Sequence, residues 1–296
     1  MTSIARERLT NHGLRLAVIW LVLTAIVVPL VVLVLGPQIP PGHMSAEAGA
    51  QHDANVFMTA LTAPIVLIVL IVGVYSFVVF RNRGEAVIDG PPLKGNAGTQ
   101  LLWIVITGAI VLTLAVWGSY TLIVSSHGSG GGQGPNPIAK PKGWKQAYPV
   151  QVIGQQWEWT FRYPKAMVNG KALETRDLVV PNHTLVAFHV TSLDVTHSFW
   201  AYELGVKADA VPGVDNIAYV NARRTGFFHI RCAELCGLWH GHMAKLGRVL
   251  SFSGFQAWLK TAEKKNAPIM NCKKCTEPLP PYNQWYYPVI ALRRAG

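Results

Sequence analysis

Two cysteines, a histidine and a methionine lie close together in the last third of the sequence, and each is a side chain that binds metal ions. Cys232 and Cys236 are followed by His240 and Met243 within one twelve-residue run, CAELCGLWHGHM. Thiolate, imidazole and thioether together form the soft ligand set that selects copper. The run therefore predicts a copper site.

A structural zinc site and a disulfide are the competing interpretations of this run. Zinc motifs usually bring cysteines in close CxxC pairs and do not use methionine. A disulfide between Cys232 and Cys236 suits an oxidising compartment, but it leaves His240 and Met243 unexplained. Copper is favoured, and one more ligand is expected from elsewhere in the fold. His197, 35 residues upstream of Cys232, is the candidate, at the end of a strand.

The elements that must position these ligands are short strands. From Tyr148 onward, apolar residues alternate in short runs that are separated by Gly, Pro and Asn. This pattern predicts an all-β sandwich or barrel over residues 145–265. One late helix is expected over residues 254–264, with Ser253 as its N-cap.

The first part of the chain has the composition of a membrane protein. The whole sequence of 296 residues is 50% hydrophobic and 14% charged. Three apolar runs without acidic or basic residues cover 16–35, 57–80 and 101–124. Each reaches about 30 Å as a helix, enough to cross a bilayer core. We therefore expect an anchor of two or three transmembrane helices.

Basic residues flank these runs on one side of the membrane and predict its orientation. They are Arg6, Arg8, Arg15, Arg81, Arg83 and Lys94. Since such residues stay in the cytoplasm, the β domain should lie on the outer or periplasmic face of a multi-pass plasma-membrane protein. The first run is alternatively a signal peptide, because Ala46, Ala48 and Ala50 resemble a cleavage site.

The predicted organisation has five parts. They are a signal or first transmembrane segment (1–50), a transmembrane hairpin (51–124), an unpacked Gly/Pro-rich linker (125–144), the β domain (145–265) and a tail (266–296). The tail holds Cys272 and Cys275, but Thr276 replaces the histidine that heme attachment needs, so a local disulfide or an extra metal site stays open. The net charge is +11, yet no basic cluster interleaved with aromatics indicates a nucleic-acid partner.

Four motifs together resemble subunit II of heme-copper cytochrome c oxidases, and the resemblance covers residues 57–264. They are the copper run, His197-Ser198-Phe199-Trp200, the segment Gly205 to Gly213, and Gln156-Trp157-Glu158-Trp159. The resemblance implies a cupredoxin-like Greek-key barrel after a helical anchor. It also implies an electron-input subunit, which passes electrons from cytochrome c or a similar donor to the heme of subunit I, where oxygen is reduced to water.

The resemblance also implies a binuclear copper centre, CuA. Its ligands would be His197, Cys232, Cys236, His240 and Met243, with the cysteines as bridges and the methionine as a weak axial ligand. Glu234 would contribute its backbone carbonyl to copper and its carboxylate to a magnesium ion at the contact with subunit I. Trp157 would accept electrons from the donor. No residue is assigned to bond-making catalysis.

Other functions share parts of this pattern. The CuA subunit of a nitric oxide reductase is the alternative, since only the catalytic partner differs. A quinol oxidase subunit II lacks the copper ligands, and a copper chaperone would expose its thiols. Nitrous oxide reductase has the copper run but also a large propeller domain, which this chain is too short to contain.

Several positions depart from the family pattern. Gln100, three residues before Trp103, stands where a proton-loading Glu is common, and Val214 stands where an Arg often follows Pro-Gly. His242 lies between two predicted ligands and is a competing imidazole.

The charges near Trp157 also differ from the family pattern. Glu158 is accompanied in the sequence by Arg162, Lys165 and Arg176. These charges favour an acidic or neutral electron donor.

Overall fold

The computed structural model describes residues 3–39, 42–81, 84, 95–125, 130–132, 134–136, 140–168 and 170–265. These residues form two compact units. The first contains helix α1, most of α2 and most of α3. The second contains the start of α2 together with the whole β domain.

Three helices of the described chain are long and apolar enough to cross a membrane. They are α1 (Ser3–Leu30, extended by a π-helical turn Val31–Leu35 and a 3-10 turn Gly36–Gln38), α2 (Ala46–Val79) and α3 (Ala97–Tyr120, followed by a π-helical turn Thr121–Ser125). The three predicted apolar runs are thus confirmed as helices. Their long apolar side chains are largely exposed in the isolated chain, so lipid or other subunits must cover them.

Helices α1 and α2 contact each other through two polar pairs. The indole Nε1 of Trp20 donates a hydrogen bond of 2.8 Å to the backbone oxygen of Pro64. Nδ1 of His12 lies 2.7 Å from the hydroxyl of Tyr75. Polar contacts of this kind bind neighbouring helices where no water competes for the same groups.

Ten strands build the second unit, and they form two five-stranded sheets. The strands are β1 (Tyr148–Gln155), β2 (Glu158–Val168), β3 (Lys171–Thr175), β4 (Val179–Pro181), β5 (Leu185–Ser192), β6 (His197–Ala201), β7 (Val206–Ala210), β8 (Asn216–Asn221), β9 (Gly226–Cys232) and β10 (Ala244–Leu250). The sheet orders are β3-β2-β1-β5-β8 and β4-β10-β9-β6-β7. The predicted fold class, a helical anchor followed by an all-β cupredoxin-like domain, is confirmed.

One core lies between the two sheets. Val152 on β1 pairs with Phe161 on β2 in an antiparallel register and with Val190 on β5 in a parallel one. These side chains and Phe199 from the other sheet are fully buried in one cluster. Because side chains alternate along a strand, the apolar spacing in the sequence sets which face of each sheet points inward.

Helix α4 (Phe252–Lys265) closes the domain, with Phe255 and Leu259 buried against the core. The predicted N-cap, Ser253, is wrong, because the serine that caps the helix lies two positions earlier. The hydroxyl of Ser251 accepts a hydrogen bond of 3.2 Å from the N–H of Gly254, so Ser251 is the N-cap and Ser253 lies inside the first turn.

The residue before α2 and the first turns of α2 pack on the β domain. The hydroxyl of Ser45 donates to the backbone oxygen of Leu204 at 2.7 Å, and the amide of Gln51 donates to that of Gly205 at 2.8 Å. Gly205 has φ +67°, and a Cβ there would lie 2.6 Å from the backbone nitrogen of Ala48. A glycine is therefore required for this close approach.

Part of the predicted linker is also packed on the domain, contrary to expectation. Gly130 donates a backbone hydrogen bond of 2.7 Å to Tyr219 and accepts one of 2.9 Å from Lys207. Gly134 donates to the side-chain oxygen of Asn216 at 2.7 Å. Glycine-rich composition suits a flexible linker, but here it allows the backbone to lie directly on strands β7 and β8.

Candidate metal centre

The predicted ligands come from two adjacent strands and the loop that follows the second one. His197 is the first residue of β6, and Cys232 is the last residue of β9. Phe199 pairs with Cys232 in the antiparallel β6–β9 ladder. A backbone hydrogen bond of 3.0 Å from Cys232 to Met243 closes the loop between them. The sheet therefore brings together residues that are far apart in the sequence.

Two thiols form the middle of the site. The Sγ atoms of Cys232 and Cys236 lie 3.8 Å apart, and both cysteines are free and buried. The sulfurs are too far apart for a disulfide, which needs about 2.05 Å. The arrangement leaves both sulfurs available to a metal ion.

Each thiol has its own imidazole. Nδ1 of His197 lies 3.8 Å from the sulfur of Cys232, and Nδ1 of His240 lies 3.5 Å from the sulfur of Cys236. His197, Cys232 and Cys236 offer ligand atoms that all lie within 4.8 Å of one another. Two sulfurs flanked by two ring nitrogens give a donor set that is compatible with copper.

Two further predicted groups lie against the same sulfurs. The thioether sulfur of Met243 is 4.0 Å from the sulfur of Cys236, and Met243 is fully buried. The backbone oxygen of Glu234 is 3.2 Å from the sulfur of Cys232. The Glu234 residue itself is exposed.

The pKa values of the two thiols are shifted in opposite directions. Burial alone would raise the pKa of Cys232, but hydrogen bonds, first that with His197, lower it to about 6. Burial and the neighbouring Cys232 thiolate together raise the pKa of Cys236 to about 12. One sulfur thus ionises easily while the other keeps its proton until a cation replaces it.

Asp194 supports His197 from the side away from the sulfurs, a role that the sequence argument missed. Nε2 of His197 donates to Oδ1 of Asp194 at 2.9 Å, and the backbone N–H of Gln156 donates to Oδ2 at 2.7 Å. Burial would raise the pKa of Asp194, but these hydrogen bonds lower it below its usual value. The acidic residue three positions before the histidine was the available signal, since metal-binding histidines are often oriented by carboxylates.

Trp157 contacts the site directly. Its indole Nε1 donates a hydrogen bond of 3.1 Å to the backbone oxygen of Cys236, and the side-chain amide of Gln156 donates to the same oxygen at 2.9 Å. Trp157 is half-buried, whereas Trp159 is fully buried in the core, as a core aromatic would be.

The predicted basic surroundings of Glu158 are only partly present. Arg176 and Lys245 each form an ion pair of 3.0 Å with the Glu158 carboxylate. Arg162 is buried and pairs instead with Glu174, which lies directly opposite it in the β2–β3 register.

The third predicted cation, Lys165, lies over the ring of Tyr148, 5.3 Å from its centroid. The prediction is therefore wrong for Arg162 and Lys165.

The other histidines do not join the cluster in the described chain. His242 is exposed, and its ring lies 5.1 Å from that of Trp239. His189 is buried and lies 2.9 Å from Asp215, and His229 pairs with Glu203 on the surface.

Gln100 lies in the first turn of α3. Cys272, Cys275, Arg83 and Lys94 lie outside the described residues.

The fold and this site together define a class: a membrane-anchored protein with a cupredoxin-like domain whose His/Cys/Cys cluster is compatible with copper. Comparison with known proteins makes the class specific. Residues 148–248 match the family described as "Cytochrome C oxidase subunit II, periplasmic domain". Cytochrome c oxidase subunit 2 of Podospora anserina is 30% identical over 189 residues, which cover 56% of this chain and 70% of the relative. The chain belongs to the cytochrome c oxidase subunit II family.

Other relatives carry the same name. Cytochrome c oxidase subunit 2 of Synechocystis sp. is 27% identical over 270 residues, covering 76% of this chain and 75% of the relative. This chain is also similar to a solved structure, the periplasmic domain of subunit II of cytochrome oxidase of Bradyrhizobium japonicum. The two sequences are 32% identical, and the match covers 40% of this chain and 96% of that domain with a TM-score of 0.37. The chain is thus an oxidoreductase subunit with a periplasmic domain, and the nitric oxide reductase alternative gains no support.

Proposed function

We propose that this chain is the electron-input subunit of a heme-copper terminal oxidase and holds a binuclear CuA centre. The observation that carries the proposal is the paired arrangement of donors. Two unbonded thiols lie 3.8 Å apart, and each has a histidine ring nitrogen within 3.8 Å of its sulfur. Two thiols and two imidazoles alone also suit a single zinc ion. The thioether of Met243, 4.0 Å from the sulfur of Cys236, is a soft donor that favours copper, and the resemblance to the oxidase subunit family implies two copper ions.

Each ligand has a defined part in the proposal. Cys232 and Cys236 would hold both ions, while His197 and His240 would hold one ion each. Met243 and the backbone oxygen of Glu234 would complete the set. Bound copper supplies a group that takes up and releases one electron.

The chain's own contribution is to keep the donors fixed while the charge of the site changes. His197 is fully buried and held by Asp194, and the oxygen of Cys236 accepts two side-chain hydrogen bonds. A site that moves little between redox states has a small reorganisation barrier. Rigid support of this kind suits electron transfer rather than loose storage of copper.

The proposed electron path runs from the donor to Trp157, to the copper centre, and on to the heme of subunit I. Trp157 is half-buried and bonded to the backbone of Cys236, so its ring links the surface to the ligand loop. The exposed carboxylate of Glu234 would bind magnesium with groups from subunit I, since magnesium prefers oxygen ligands. The catalytic oxygen chemistry belongs to subunit I.

We further propose a multi-pass plasma-membrane protein whose first helix is retained. The contacts of Trp20 and His12 with α2 support retention. Ala48, inside the candidate signal-cleavage region, is buried beneath Gly205. The intact mass of the purified subunit should therefore include the first helix. A mature N-terminus within residues 46–51 would contradict this.

Copper stoichiometry and electron paramagnetic resonance test the proposal. The full chain should be purified in detergent and loaded with copper, because the packed segment 43–52 belongs to the folded domain. We expect two coppers per chain and hyperfine splitting from two equivalent copper nuclei that share one electron. One localised copper, or none, would overturn the proposed function.

A further inference from the structure

The metal end of the domain carries an exposed apolar surface, which we call the collar. Its residues are Leu235, Leu238 and Trp239 from the ligand loop, which are 80%, 86% and 49% exposed. Val195, in the turn before His197, is exposed as well. Large apolar side chains grouped around a redox site are unfavourable in water and indicate a surface that a partner covers.

The carboxylates beside the collar already have partners within the chain. Glu158, next to Trp157, binds Arg176 and Lys245 at 3.0 Å each, so this group of three charges is net cationic. Asp194 accepts hydrogen bonds from His197 and from two backbone N–H groups. Neither carboxylate is free to attract a cationic partner.

Glu234 is the remaining exposed carboxylate of the ligand loop. In the proposed function its carboxylate faces magnesium and subunit I, which removes it from the donor side. The donor side then consists of the collar, Trp157 and a margin where Arg176 and Lys245 outnumber Glu158. The charge of this margin is complementary to a partner surface with a neutral or acidic rim, and it repels a partner surface ringed by lysines.

We propose that the electron donor is a small redox protein whose docking face is apolar and bounded by neutral or acidic side chains. This inference rests on the proposed function, because it assigns the partner of the same copper centre. Apolar contact with the collar supplies the affinity. The cationic margin selects among donors by charge.

Stopped-flow reduction of the copper centre in the purified oxidase complex tests the inference. The probes are two small c-type cytochromes, one with an acidic face and one rich in lysine, compared at low and moderate ionic strength. The acidic donor should react faster at low salt, and its rate should fall as salt screens the attraction. A lysine-rich donor that is faster, with a rate that falls as salt is added, would overturn the inference.

Charge reversal at the margin sharpens the test. Lys245→Glu should slow the acidic donor by about fivefold at low salt and speed the basic one. Lys245→Gln is the milder variant if the reversal disturbs folding, and copper content reports whether the centre is intact. Lys260→Glu, at an exposed position of helix α4 outside the collar, makes the same change in net charge and should alter neither rate. Equal effects of Lys260→Glu and Lys245→Glu would overturn the inference.

The apolar part is tested by Leu238→Ser, which should slow both donors at every salt concentration. An unchanged rate for this variant would exclude the collar as the docking face. Failure of the proposed function looks different, because then copper is absent or localised on one nucleus and neither cytochrome reduces it. Reduction by a small uncharged reductant confirms an active centre before the donors are compared.

Discussion

Replacing Cys236 with serine is expected to eliminate the shared-electron copper centre. A serine hydroxyl stays protonated near neutral pH and is a hard donor, so it cannot substitute for a bridging thiolate. The sulfur of Cys236 also lies between His240 at 3.5 Å and Met243 at 4.0 Å, so its loss leaves both side chains without their common neighbour. Copper should fall to at most one per chain, and donor-driven oxygen consumption should fall by roughly a hundredfold or more.

Elemental analysis, paramagnetic resonance and turnover on the same sample check this prediction. The matched control is the double variant Cys272→Ser/Cys275→Ser in the tail, which removes two thiols and should keep both coppers and the turnover. A Cys236→Ser protein that retains two coppers sharing an electron would show that the bridging assignment is wrong. Loss of copper in the tail variant would instead identify a second metal site there.

The local part of the site was accessible from the sequence because it lies in one short loop. Cys232, Cys236, His240 and Met243 are close in sequence, and the structure brings their ligand atoms to within about 4 Å of neighbouring ones. His197 is different. Its proximity depends on the pairing of β6 with β9, a non-local contact that hydrophobic periodicity does not specify. Its place at the end of a strand made it a candidate, and only the family resemblance implied that it is a ligand.

Charge placement was the weakest part of the sequence argument. Arg162 and Arg176 are both near Glu158 in the sequence, yet only Arg176 reaches its carboxylate. Arg162 pairs across the strands with Glu174, directly opposite it in the β2–β3 register. Lys245, 87 residues after Glu158, completes the ion pairs because β10 begins at the same end of the domain. Counting charges along a segment therefore says little about which charges meet.

The packed glycine segment shows that backbone contacts, like ion pairs, are poorly predicted from the sequence. Residues 130–134 have the composition of a linker, but Gly132 lies so close to strand β7 that a Cβ would approach that of Ala208 to 2.7 Å. Glycine is favoured both in flexible chains and where a backbone lies directly on another strand. Composition alone does not distinguish the two situations.

Replacing Asp194 with asparagine is expected to weaken copper binding by about 10- to 100-fold, the usual effect of losing a supporting carboxylate. Oδ1 of Asp194 accepts from His197 and from the backbone N–H of Val195, while Oδ2 accepts from the N–H of Gln156. An amide offers one oxygen and one NH₂ group. In the variant the NH₂ group must therefore take the place of one carboxylate oxygen and face an N–H group, with which it cannot form a hydrogen bond. His197 would lose its fixed orientation, and the site would need to reorganise when copper binds.

Competition of the copper-loaded chain with a chelator measures this affinity, and Asp177→Asn, on an exposed carboxylate away from the cluster, is the control. The pKa of Asp194 is lowered in the folded protein, so its carboxylate stays ionised as the pH falls through the usual carboxyl range. The stabilisation it provides is therefore present above its unfolded pKa and lost only as the pH falls through the lower folded value. The difference in copper affinity between the unmodified chain and the Asp194→Asn variant should persist in mild acid. Equal affinities at neutral pH would mean that packing alone orients His197.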